Sequence, residues 1–148
     1  MAIPDLDEGG FLPAGVHDAS MAEVVERFGQ FQQTDRRVAL QARLEAFLEE
    51  ARGTGLVASL ILDGSFATSK PEPDDIDLIV VLRQGIDAST EFRPDQYNVV
   101  SARRVKARYP FDVLIAVEGS ETLRSAVEFF AQVTGRPGLS KGMVRVAV

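Results

Sequence analysis

Apolar residues recur at helical spacing in two stretches of the N-terminal half of the chain. Ser20, followed three residues later by Glu23, has the pattern of a capping box and predicts a short helix over about 20–28. A longer helix is predicted after a cap at Thr34 or Asp35, with two glycines ending it. The apolar stripe of this second helix consists of Leu40, Leu44, Phe47, Leu48 and Ala51.

Short apolar runs bounded by turn residues predict the strands of a sheet. The runs are 56–62, 76–82, 111–117 and, at the end of the chain, 143–148. A third amphipathic helix is predicted after a cap at Ser120, whereas 98–108 has no clean period and stays open between a short helix and a strand. We therefore expect one α/β domain over residues 1–148, a mixed sheet of at least three strands with helices covering one face.

The first 18 residues have a different character, because chain-breaking residues are dense there. The breakers are Pro4, Gly9, Gly10, Pro13 and Gly15. We expect residues 1–18 to form an irregular arm that wraps the domain. His17, the chain's only histidine, lies in this arm, and a packing or surface role is favoured over proton transfer or metal binding.

Composition narrows the classes of function. A chain of 148 residues has the length of a single domain, and the lack of cysteine excludes disulfides, thiolate nucleophiles and zinc sites built on cysteine. The net charge of −6 makes binding to duplex nucleic acid unexpected. The apolar runs are too short for a membrane helix and the start is acidic, so we expect a cytoplasmic protein without membrane association.

Two carboxylates stand at the beginning of the second apolar run. Because side chains alternate along a strand, Asp75 and Asp77 project to the same side. Like charges this close are tolerated mainly around a cation, and oxygen-only ligation suits Mg²⁺ or Mn²⁺. Asp112, near the start of the third run, adds a third ligand if its strand is adjacent; on a distant strand, the acids never meet. Three acids would match a two-metal site.

The end of the first run has the features of a phosphate site. Gly64 permits close approach of backbone amides and Ser65 adds a hydroxyl donor. A helix starting at Phe66 would add an N-terminus that attracts anions. Lys70 is a candidate for a phosphate contact, equally well explained as a solvated loop lysine, and Asp63 is expected to make a turn hydrogen bond to the backbone.

These residues together resemble the nucleotidyltransferase superfamily typified by DNA polymerase beta. A hydrophobic strand, Gly64-Ser65, nine intervening residues, Asp75-Ile76-Asp77-Leu78 and later Phe111-Asp112-Val113 follow its signature over about 36–118. The resemblance implies transfer of a nucleoside monophosphate from a nucleoside triphosphate, with ATP the expected donor, to a hydroxyl. It also implies that Asp75, Asp77 and Asp112 hold Mg²⁺ or Mn²⁺, that Asp112 helps to deprotonate the acceptor, and that Gly64 and Ser65 hold the triphosphate.

The small size is similar to that of minimal nucleotidyltransferases, some of which are antitoxins that adenylylate a partner toxin. The flanks, Leu12 to His17 and Lys141 to Val144, are similar to a group of uncharacterised bacterial proteins with this core. Many minimal members have an Arg-rich turn after Gly-Ser, where this chain supplies only Lys70. The alternative is a catalytically silent module of the same fold that acts by binding a partner protein.

One basic cluster precedes the third strand. It consists of Arg103, Arg104, Lys106 and Arg108. Such a cluster can hold a triphosphate or an acidic acceptor, but a solvated face or a group of charges at a helix C-terminus is the favoured interpretation.

Overall fold

The computed structural model describes residues 3–29, 35–68, 70, 73, 75–87, 89–133 and 138–148, with only the backbone described at Gly29 and Ser65. The strands are β1 (Gly15–Ala19), β2 (Val57–Asp63), β3 (Ile76–Leu82), β4 (Phe111–Val117) and β5 (Gly142–Ala147). The helices of the described residues are α1 (Met21–Val24), α2 (Arg36–Thr54), α3 (Pro94–Val100), α4 (Ala102–Arg108) and α5 (Glu121–Phe130). A π-helical turn, Val25–Gly29, continues α1, and a 3₁₀ turn, Ser65–Ala67, follows β2.

The five strands form one mixed sheet in the order β1-β5-β2-β3-β4. β2 is antiparallel to both of its neighbours, β3 and β5, whereas β1 is parallel to β5 and β3 is parallel to β4. The connection from β3 to β4 contains α3 and α4, as a parallel pair requires a crossover. The predicted α/β class and mixed sheet are confirmed.

Helices cover both faces of the sheet, so the expectation that they cover one face is wrong. One face packs on α1 to α4 through the larger core, in which Leu60, Leu78 and Val80 are buried. On the other face, Ile61 and Ile79 pack with residues of α5. The physical reason lies in the strands themselves: β2 and β3 are apolar at nearly every position, and a strand that is apolar on both sides needs cover on both sides.

The arm predicted over 1–18 ends earlier than expected. Residues 3–14 lack helix and strand and bury Ile3 and Leu12, but Gly15–Ala19 forms the edge strand β1. A Cβ atom at Gly142 would lie 2.0 Å from the Pro13 carbonyl oxygen, so the arm packs directly on the start of β5. A five-residue edge strand that opens with glycine carries too little pattern to be distinguished from a loop.

The ambiguous segment 98–108 is helical, split between the end of α3 and all of α4. Pro94 occupies the first turn of α3 and Ser101 caps α4, its side chain accepting a hydrogen bond from the Arg104 amide. In α4 only Val105 is buried. Helices of two turns with so few buried positions cannot display a helical period. The hydrophobic pattern of 98–108 therefore does not distinguish a helix from a strand.

The other helix boundaries follow their capping residues. Ser20 and Glu23 form the predicted capping box ahead of α1. α2 continues through Gly53 and ends at Thr54, and its C-cap residue is Gly55, whose φ of 72° suits a glycine. Asp35 is the N-cap residue of α2 but makes no capping hydrogen bond with its side chain, and the alternative cap Thr34 lies outside the described residues. Among the described residues, no helix is long and apolar enough to cross a membrane.

Candidate active site

The strand register places three acidic residues side by side at one end of the sheet. Asp77 of β3 pairs with Asp63 of β2 on one side and with Asp112 of β4 on the other. Residues in direct register project to the same face, so their side chains form a row across three strands. Asp75 lies just before β3, two positions from Asp77.

The three predicted acids meet. Asp75, Asp77 and Asp112 each offer a carboxylate oxygen, and these three atoms lie within 4.8 Å of one another. Because β4 is the immediate neighbour of β3, the alternative in which Asp112 stands on a distant strand does not hold.

The donor set fits a hard divalent cation. It consists of carboxylate oxygens, the ligands that Mg²⁺ and Mn²⁺ prefer. Mg²⁺–O bonds of about 2.0–2.1 Å put opposite ligands about 4.2 Å apart, so the 4.8 Å spread needs only small side-chain rotations around one ion. Two ions about 3.5–4 Å apart would also be spanned by ligands at this spacing.

Asp77 has the most perturbed environment of the row. Burial, followed by the negative charges of Asp75, Asp63 and Asp112, raises the pKa of Asp77 to about 6, against a smaller opposing effect of Lys141. A bound cation would remove this penalty because it favours the ionised carboxylate. The metal-free protein therefore carries an electrostatic cost at the centre of the site.

This cost predicts a pH-dependent gain in stability for Asp77→Asn. With a pKa of about 6, folded Asp77 holds its proton at pH values where the unfolded chain has released it. The free energy of unfolding therefore falls as pH rises from about 4 through 6. A rise of about two in pKa corresponds to about 2.7 kcal/mol, which solvent screening of this half-buried group reduces to about 1–2 kcal/mol.

Urea unfolding of wild type and Asp77→Asn, without divalent metal, measures this effect. We expect the variant to be more stable by that amount at pH 7 and equal to wild type near pH 4. Addition of Mn²⁺ should stabilise the wild type and leave the variant nearly unchanged. A variant that is less stable than wild type at pH 7 would show that Asp77 is not under strain.

Asp63 is a further member of the row. It is the last residue of β2 and is 3% exposed, and its carboxylate accepts a hydrogen bond from the Gly64 backbone, as the sequence predicts. Its carboxylate forms an ion pair with Lys141 Nζ at 3.2 Å, and burial nevertheless raises the pKa of Asp63. Its alignment with Asp77 depends on the antiparallel register, for which the sequence carries no local signal.

Gly64 is required at its position by geometry. Its φ is 75°, and a Cβ atom built there would lie 2.4 Å from Asp77 Oδ2. A side chain at position 64 would therefore collide with a predicted metal ligand. The Ser65 backbone begins the 3₁₀ turn, and its side chain lies outside the described residues, so its hydroxyl contact stays a prediction.

A helix starting at Phe66 was only a conditional part of the phosphate site; in the described residues the segment forms the 3₁₀ turn Ser65–Ala67 instead. The carbonyl groups of this segment are used differently. Arg37 of α2 donates hydrogen bonds to the carbonyl oxygens of Phe66 at 2.8 Å, Thr68 at 2.7 Å and Lys70 at 3.0 Å. These carbonyls face the guanidinium and do not continue a helical ladder.

Arg37 is the main organiser of the loop that follows Gly64. It has 0% exposure, also donates to the Phe28 carbonyl at 3.1 Å, and lies over the Phe66 ring. Burial lowers the pKa of Arg37 to about 10, so it is charged at neutral pH. An arginine at the first turn of an exposed helix pattern gives no sign of burial.

The three lysines of the chain have different positions around the row. Lys106 of α4 binds Asp112, with Nζ 2.7 Å from Oδ1, and Lys141 binds Asp63. The hydrogen bond from Lys106 holds the pKa of Asp112 below its usual range. Lys70 is exposed in the loop, and its phosphate contact stays a prediction.

The basic cluster lies in α4, and its members contact different parts of the protein. Arg108 pairs with Glu50 of α2, and Arg104 donates to the Pro94 carbonyl, which are structural contacts. Lys106 is the member that reaches the acids. His17 lies half-buried on β1, separated from β3 by two strands, with Nε2 2.7 Å from the Pro13 carbonyl oxygen, as expected of a packing or surface residue away from the acids.

Fold and site together define a class: a mixed α/β domain with converging carboxylates at the end of its central strands. The chain belongs to DUF6932, a family of unknown function, which it matches over residues 4–147. No curated protein and no solved structure matches the chain.

Proposed function

We propose that this protein is a metal-dependent nucleotidyltransferase that moves a nucleoside monophosphate from a nucleoside triphosphate, with ATP the expected donor, to a hydroxyl acceptor. The observation that carries the proposal is the convergence of Asp75, Asp77 and Asp112 within 4.8 Å. Gly64 supports it, because the glycine brings the proposed nucleotide loop directly against Asp77.

The proposed step is an in-line displacement at the α-phosphorus. The acceptor oxygen forms a bond to phosphorus, the bond from phosphorus to the β-phosphate oxygen breaks, and pyrophosphate leaves. Bound Mg²⁺ or Mn²⁺ would lower the pKa of the acceptor hydroxyl and offset charge on the leaving group. Asp75 and Asp77 would coordinate both cations, and Asp112 would bind the catalytic one and help to accept the hydroxyl proton.

The remaining residues bind the donor. The backbone at Gly64 and Ser65 is proposed to hold the triphosphate, with Lys70 as a further phosphate contact. Arg37 positions this loop through its carbonyl groups. A hydroxyl on a protein, as in toxin–antitoxin pairs, is the proposed acceptor ahead of a small molecule or an RNA end, and the 56% exposure of the Asp112 side chain is compatible with it. A cytoplasmic setting would supply the nucleotide.

The test is transfer of label to bacterial lysate proteins from each of the four nucleoside triphosphates, labelled at the α-phosphate. We expect label transfer that requires Mg²⁺ or Mn²⁺ and stops with EDTA, strongest with ATP. The same assay with label at the γ-phosphate should leave the product unlabelled, since pyrophosphate departs. Transfer of the γ-label would identify a kinase and contradict the proposal.

A second candidate is the catalytically silent module that binds a partner protein. Two ion pairs favour it. Lys106 pairs with Asp112 and Lys141 pairs with Asp63, so the acids on both sides of Asp77 already have cationic partners. Calorimetric titration separates the candidates. A silent module shows no metal-dependent ATP binding, whereas the enzyme binds ATP with metal and loses that binding in the double variant Asp75→Ala/Asp77→Ala.

A further inference from the structure

Lys106 forms an ion pair with Asp112, a carboxylate that is proposed to bind a metal cation. Its Nζ lies 2.7 Å from Asp112 Oδ1, and both side chains are 56% exposed. The ammonium also interacts electrostatically with Asp75 and Asp77. The lysine therefore partly balances the charge that a metal ion would balance.

We propose that Lys106 is a substrate-phosphate ligand that Asp112 holds until a divalent cation binds. When the cation binds Asp112, the ion pair between Asp112 and Lys106 breaks. The released ammonium then contacts the phosphates of the nucleotide. This inference rests on the proposed function and adds a residue to its site.

The exchange follows from the relative strength of the two interactions. An exposed lysine–carboxylate pair is weak, because solvent screens it and the long side chain loses freedom in forming it. A divalent ion shared by three carboxylates is held more strongly than one ammonium on one carboxylate. Two positive charges on the same oxygen also repel, so Lys106 and the cation compete for Asp112.

The helix keeps the released ammonium at the site. α4 is fixed by the buried side chain of Val105, the neighbour of Lys106, and by the Ser101 cap. Only the flexible four-carbon stem moves, and its three N–H donors suit phosphate oxygens. Two of the neighbouring arginines of α4 have other partners: Arg104 contacts the Tyr97 ring and Arg108 pairs with Glu50.

Mn²⁺ titration without nucleotide tests the competition. We expect Lys106→Met to bind Mn²⁺ more tightly than wild type by about three- to tenfold, because the competing charge is gone. Arg83→Met is the matched control: it removes one positive charge at the opposite end of β3 and should bind Mn²⁺ like wild type. Lys106→Gln, which is neutral like Lys106→Met, is a second variant and should also bind Mn²⁺ more tightly than wild type.

Nucleotide transfer tests the phosphate contact. Although it holds metal more tightly, Lys106→Met should transfer label with kcat/KM lower by about tenfold or more, at saturating Mn²⁺. Lys106→Arg, which retains the charge, should recover part of that loss. Opposite changes in metal affinity and in turnover are not produced by a general disturbance of the fold.

The outcomes separate the two proposals. Wild type that binds no Mn²⁺ would overturn the proposed function. Wild type that binds Mn²⁺, with Lys106→Met and Lys106→Gln binding it equally or more weakly, would overturn the competition. Tighter metal binding with unchanged kcat/KM would overturn the phosphate contact.

Discussion

Replacement of Asp77 by Asn is expected to lower metal-dependent nucleotidyl transfer by about a thousandfold or more while making the protein more stable at pH 7. Asp77 is the central acid, in register with acids on both neighbouring strands. Loss of its charge removes a shared metal ligand, and such ligands stabilise charge throughout the displacement. The same change relieves the repulsion that raises the pKa of Asp77.

The measurement is label transfer from α-labelled ATP at saturating Mn²⁺, with urea unfolding on the same samples. Glu118→Gln is the matched control, because Glu118 is an exposed carboxylate just beyond the other end of β4. The control should retain wild-type transfer. If Asp77→Asn keeps transfer within about tenfold of wild type, the trio is not the metal site of the reaction.

Replacement of Arg37 by Met is expected to destabilise the fold by about 3–5 kcal/mol. The guanidinium serves four backbone carbonyls, those of Phe28, Phe66, Thr68 and Lys70. Methionine fills similar space but donates no hydrogen bond. Buried carbonyl groups without a donor are costly, and the loop beside the site would lose its main anchor.

Urea unfolding at pH 7 checks this value, and amide hydrogen exchange shows where the loss occurs. We expect faster exchange first in residues 66–68. Arg52→Met is the control, because Arg52 lies exposed near the other end of α2 in an ion pair with Glu49. It should change stability by less than about 0.5 kcal/mol. If the two substitutions lower the free energy of unfolding equally, the hydrogen bonds of Arg37 do not stabilise the fold more than an exposed ion pair does.

Local patterns predicted most of the secondary structure. β3 and β4 have the predicted bounds, and the predicted stripe of α2 is buried. These elements are long, or continuously apolar, so their burial is encoded in adjacent residues. β1, α3 and α4 were missed or left open because each is short and takes its stability from the elements on which it packs.

The part of the candidate site that depends on adjacent residues was predictable from the sequence. Asp75 and Asp77 are two residues apart, so local geometry alone brings their side chains together. Asp112 was a conditional member until the order of the strands was known. Asp63, Lys106 and Lys141 are charged residues whose partners lie 6 to 78 positions away along the chain, and a single sequence does not pair them.

By itself the sequence determined the strands β2 to β5, the principal helices and the spacing of the glycine turn and the paired acids, since all of these depend on neighbouring residues. Tertiary structure alone decided which strands are neighbours, which lysine meets which carboxylate, and that Arg37 is buried under the loop. The physical reason is that pairing register and burial arise from contacts between distant segments, which acquire their energy only when the whole sheet and both of its covering layers are assembled.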